Sequence, residues 1–120
     1  MTLKYILCWV LFCIVAVVGG ELCDLYEQIH WYDLMLHFVA GGLLMNMAGN
    51  YFRPISVVHL VALGSVVTNV LVLWEVFEYF MDTYLDFNMQ KDGIKDTMED
   101  ILIGKLGCLS AMLFVKEKDT

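Results

Sequence analysis

The chain is short of bases, of proline and of patterned cysteine. Its 120 residues hold 7 Lys and Arg against 14 Asp and Glu, a formal net charge of -7. That balance offers no basic surface to a nucleic-acid backbone and excludes nucleic acid as an expected partner. The cysteines, Cys8, Cys13, Cys23 and Cys108, show neither CxxC nor zinc-ribbon spacing. Three of them lie in apolar runs, where a thiol acts as a small hydrophobe, so all are read as packing residues. Ser56, Ser65 and Ser110 stand in no GxSxG context, which removes the usual serine nucleophile. Residues 1–120 contain no internal repeat and no low-complexity linker and are read as a single domain.

Apolar sequence is what the chain has in excess. It is 60% hydrophobic with a mean hydropathy of +0.69, too apolar for an ordinary soluble domain of this size. The expected fold is all-α, an integral membrane bundle of four transmembrane helices at about 3–20, 33–50, 56–81 and 97–115. Each is near the roughly 20 residues needed to cross the hydrocarbon core. The first, LKYILCWVLFCIVAVVGG, also has the parts of a signal peptide, but a retained helix is expected. The one proline, Pro54 of YFRP, pushes its predecessor out of helical geometry and marks the turn between the second and third segments.

Basic residues near the segment ends set the orientation. Lys4, Arg53, Lys116 and Lys118 fall on one side and Lys91 and Lys95 on the other, which predicts a multi-pass inner-membrane protein with both termini cytoplasmic. The first loop, ELCDLYEQIHWY, carries acids and no base, as suits the outer side.

Ionisable residues inside these spans are costly and are functional-site hypotheses by default. Asp33 and His37 are spaced i,i+4, Glu75 and Glu78 i,i+3, and Asp96 and Asp100 i,i+4, so each pair shares a helical face. Antiparallel threading brings all three pairs to one leaflet. At about 1.5 Å per residue, His37, Glu78 and Asp100 each lie on the order of 6 Å below the outer end of their helix. Helical phase aligns Gly64, Thr68, Glu75 and Asp82 in one stripe, Asp96, Asp100 and Gly107 in a second, and Asp33, His37 and Ala40 in a third. Glycines beneath the carboxylates would let backbones approach closely.

Five carboxylates around one imidazole cannot all stay charged in a low dielectric, so they either share protons or surround a cation. The set Asp33, His37, Glu75, Glu78, Asp96 and Asp100 suits a divalent metal, with zinc, manganese, iron and magnesium left open. Glu75 or Glu78 would serve as a general base if the site is catalytic. For Asp33 and Asp96, near helix N-termini, helix capping is the plain alternative. It does not extend to Glu75 and Glu78, which stand late in a helix.

The stretches YDLMLHFVAG, LWEVFEYFMD and KDTMEDILIGKLG resemble, in order and spacing, the successive motifs of the YjdF-like family of uncharacterised bacterial inner-membrane proteins. Leu34 stands where an arginine follows Tyr-Asp in that family, whose members are often longer. The resemblance implies a multi-helix membrane protein with a polar cluster and no particular reaction.

Smaller expectations attach to other residues. Lys105 faces away from Asp96 and is expected either to snorkel or to meet a homo-oligomeric or membrane-protein partner, the latter preferred, and membrane lipids surround the bundle. His59 is read as a packing or interfacial residue, while His30 is a candidate second imidazole. Trp31, Tyr32, Trp74 and Tyr79 suit an aromatic belt, and Asn46 with Asn50 suits an interhelical hydrogen bond. The leading functional reading is a metal-binding membrane protein. Three alternatives stand beside it: a metal-dependent hydrolase of a lipid or envelope precursor, a noncatalytic subunit of a membrane complex, and a cation or proton transporter. Below Glu75 a transport path would have only Thr68, Asn69 and Asn46, which disfavours the last.

Overall fold

A computed structural model describes residues 2–54, 56–87 and 93–115, and these are all helix and connecting turn, with no strand among the described residues. Helix α1 (Leu3–Ile14) runs without a break into a π-helical stretch, Val15–Leu22. A short helix α2 (Leu25–Gln28) follows, then three long helices, α3 (Tyr32–Phe52), α4 (Val57–Leu85) and α5 (Ile94–Met112). Of the expected spans, Leu3–Leu22 and Val57–Leu85 are long and apolar enough by composition to cross a membrane. The other two are diluted by polar residues: α3 carries Asp33, His37, Asn46 and Asn50, and α5 carries Lys95, Asp96, Glu99, Asp100 and Lys105.

The ends of α4 and α5 differ from expectation. Asp82 does not stop α4, which continues to Leu85 and ends at Asp86 in the left-handed conformation. Helix α5 begins three residues earlier than expected, at Ile94 after Gly93, so that Asp96 lies in its first turn. The YFRP turn is as expected: Arg53 is left-handed at the end of α3, and Ser56 caps α4 by accepting a hydrogen bond from the His59 amide at 3.3 Å. Lys91, Lys116 and Lys118, used for orientation, lie outside the described residues.

Helices α3 and α5 pack more extensively on each other than any other pair, with α4 lying against both. Glycine explains the closeness. A Cβ at Gly41 would collide with the Gly104 carbonyl, and one at Gly107 with the Phe38 carbonyl. Small residues thus set two backbones in direct contact, as in membrane helix interfaces generally. Below this contact Met45, Val67 and Cys108 form a buried core, joined by Leu44, Ala48, Leu63 and Met112. Gly64 seats the Met112 sulfur and Cys108 against α4. Leu102, Leu106 and Leu109 of α5 and Leu73, Val76 and Phe77 of α4 point outward and are exposed.

The N-terminal helix is held more lightly. Tyr5 donates to the Asn46 side-chain oxygen at 2.9 Å, which makes Asn46 the interhelical partner, while Asn50 donates within α3 to the Asn46 carbonyl at 2.8 Å. At its outer end the Tyr32 hydroxyl donates to the Val15 carbonyl, where the π-helical stretch begins. Gly19 and Gly20 make room there for Tyr32 and the Tyr26 ring.

Candidate functional site

Three helices deliver the buried polar groups to one point. Asp33 enters in the first turn of α3, and His37 follows one turn later on the same face. Glu75 faces inward from α4 and is 3% exposed, and Asp100 faces inward from α5 and is 1% exposed. The glycine contacts of Gly41 with Gly104 and of Phe38 with Gly107 draw α3 and α5 together just below, which fixes His37 against Asp100.

The imidazole is the hub. Its Nε2 lies 3.4 Å from Asp100 Oδ2 and 3.6 Å from Asp33 Oδ1. Its Nδ1 lies 3.6 Å from Glu75 Oε1. Carboxylates therefore face both ring nitrogens. A neutral imidazole has one N–H donor and one bare lone pair, so on one side two acceptors confront each other unless a proton or a cation stands between them. Neither oxygen of Asp100 receives a hydrogen bond. A buried charge in that condition is normally neutralised, paired or bound to metal.

Two sets of possible ligand atoms overlap at His37, one with Asp33 and Asp100 and one with Glu75 and Glu78, and within each set the atoms lie within 4.8 Å of one another. Around a four-coordinate ion with bonds of about 2.1 Å, ligand atoms stand about 3.4 Å apart, so the observed spacing is of the right size. Five of the six residues singled out from sequence thus converge. Asp96, half-buried in the first turn of α5, stands outside both sets. Neither Asp33 nor Asp96 occupies an N-cap position; Trp31 and Gly93 do, without side-chain caps.

The remaining residues are placed as follows. Glu78 accepts from the Trp74 indole at 2.8 Å, a contact the i,i+4 spacing contains but an aromatic-belt reading overlooks. Tyr32 is also no belt residue, being 5% exposed and bonded to Val15, whereas Trp31, Trp74 and Tyr79 are exposed. His30 is exposed and belongs to neither ligand set, and His59 pairs with Ser56 at the far end of α4. Lys105 is exposed on the outer face of α5. All four cysteines are free, and Cys108 is buried in the core while Cys13 and Cys23 are exposed.

A partly open cavity of about 350 Å³ adjoins the cluster, lined by residues of α1, α2, α3 and α4. Asp33, His37 and Glu78 form its polar end; Trp9, Tyr26 and Trp74 are among its aromatic walls, and Leu44 and Val70 belong to its apolar lining. In α2, between the long helices, burial raises the titration of the Tyr26 hydroxyl, helped next by the charge of Asp33 and then of Glu21.

The apolar exterior accords with the comparisons. The model of a family described as "Predicted membrane protein (DUF2238)" matches residues 1–117. The chain belongs to that family. It is also 32% identical over 110 residues to an "Uncharacterized protein" of Thermotoga maritima, an alignment covering 86% of this chain and 57% of the relative. The chain therefore spans little more than half the length of that relative. No solved structure matches.

Proposed function

We propose that this protein is a multi-pass inner-membrane protein that binds a divalent cation among α3, α4 and α5 near the outer face, through His37, Asp33, Glu75, Glu78 and Asp100. The observation that carries the reading is the placing of carboxylates against both nitrogens of one buried imidazole, with Asp100 receiving no hydrogen bond. Zinc, manganese, iron and magnesium all accept such oxygen-rich donors with one histidine. Asp96 is an outer carboxylate able to hold a ligand water rather than the ion.

Four crossings fit this reading better than two. Lipid tolerates the exposed Leu102, Leu106 and Leu109 of α5 and disfavours its charges, and Asp100 is turned inward as a membrane requires. Lys4 and Arg53 at one end and Lys95 at the other favour cytoplasmic termini. The order of the Tyr-Asp, Glu and Asp-Thr motifs supports kinship with YjdF-like proteins. Lys105, exposed on α5, supports a homo-oligomeric or membrane-protein partner.

A metal-dependent hydrolase is the second reading, favoured by one observation: Glu78 lines the cavity, where a general base must stand, while Glu75 does not. The deciding experiment is elemental analysis of detergent-purified protein by plasma mass spectrometry. About one equivalent of metal, lost in Glu75→Gln, Glu78→Gln and in His37→Ala but kept in His59→Ala, is expected. Metal-free wild type after supplementation with each of the four ions would overturn the proposal and favour shared protons.

A further inference from the structure

The cavity beside the cluster has chemistry of its own. Its lining runs along α3 from Asp33 through His37 and Ala40 to Leu44, a depth of about 16 Å at 1.5 Å per residue. Polar groups stand at one end and the rest is apolar, as one chain of an amphiphile would require. Its volume of about 350 Å³ is at the low end of the roughly 300–1,000 Å³ typical of ligand pockets, which suits one chain better than two.

The polar end selects the headgroup. Among the described residues, no Lys or Arg lines the cavity. Asp33 and Glu78 are the acids at this end, and the Asp33 side chain is 39% exposed. An anionic head finds no basic partner there, whereas a cationic one finds two carboxyl groups. Trp9, Tyr26 and Trp74 line the same cavity, and the Trp74 indole donates to Glu78 at 2.8 Å. Aromatic faces combined with carboxylates are the means by which proteins recognise alkylated ammonium groups.

We infer that the cavity between α1, α3 and α4 binds an amphiphile with one hydrocarbon chain and an ammonium head, the head against Asp33, Glu78 and the aromatic walls and the chain directed toward Leu44. The inference does not require the metal. The ammonium has two sources, a free long-chain quaternary amine or the choline-type head of a single-chain lipid.

Native mass spectrometry of the full chain released from detergent tests this by counting bound ligand. The probes are hexadecyltrimethylammonium, lysophosphatidylcholine and hexadecyl phosphate, each offered to wild type with and without chelator. One equivalent of the first, persisting after chelation and weakened at least tenfold in Glu78→Gln, is expected. Asp33→Asn, at a position whose side chain is 39% exposed, gives the same test with less risk to the fold. Ala40→Phe should block the chain and abolish binding of either ammonium probe. Tighter binding of the lysolipid would assign the lipid source, and tighter binding of the free amine the other. Equal binding of hexadecyl phosphate, binding only in metal-loaded protein, or no saturable binding would each overturn the inference, whatever the metal content proves to be.

Discussion

The same three helices pack in two different ways along their length. Around Met45, Val67 and Cys108 the interface is apolar and filled, and burial there is favourable at about 25 cal/mol per Å². About two turns outward, around His37, it encloses Glu75 and Asp100, whose burial is unfavourable unless charge is matched. Gly41, Gly104 and Gly107 lie between the two regions and hold them in one register. The inner region supplies the stability with which the outer one is kept together, the division expected where a site is carried by a scaffold.

The strongest way to break this arrangement is to separate α3 from α5. Gly41→Leu places a side chain where the Gly104 carbonyl stands, and a loss of at least about 3 kcal/mol is expected, seen as aggregation or absence of a folded species on size exclusion. Gly42→Ala is the control: its Cβ would meet the Gly107 carbonyl at 3.4 Å, an ordinary contact, and should change little. Next comes the core alone. Met45→Ala, at a fully buried position, should cost about 2–5 kcal/mol in thermal unfolding yet leave the metal content of the folded fraction unchanged. Metal loss in step with stability would mean the two regions are not separable.

The outer region should respond with the opposite sign. Asp100→Asn keeps the shape of the side chain and removes a buried charge, so metal binding falls while the chelated protein gains about 1–2 kcal/mol. Equal destabilisation with and without metal would show that Asp100 serves packing only.

These two regions were not equally legible in the sequence. The polar pairs could be read because helical spacing and antiparallel threading constrain them together, and His37, Glu75 and Asp100 do meet. Gly64 and Gly107 could be read for the same reason. What escaped was set by three-dimensional fit: the contact of Gly41 with Gly104 depends on the rotation of two helices about their axes, and the cavity depends on how loosely α1 lies on α3. The ends of α4 and α5 were misplaced by a few residues because a polar residue can sit equally well inside a helix or beyond it. Only two of the four expected spans are apolar enough by composition alone, since the polar site itself dilutes the others.

The mildest test uses Tyr26, above the site. Its hydroxyl titrates higher in the folded protein than the usual 10.0, first because of burial and next because Asp33 is negative. The folded state thus holds this proton more firmly than the unfolded chain does. The resulting stability is fully present below pH 10.0 and is lost as pH rises above it toward the folded value. Tyr26→Phe should flatten the alkaline limb of a plot of thermal midpoint against pH, and Asp33→Asn should flatten it less, because it removes only the second of the causes. Since Tyr26 joins the cavity wall to α2, an unchanged limb in Tyr26→Phe would mean that this wall does not stay closed around the hydroxyl in solution.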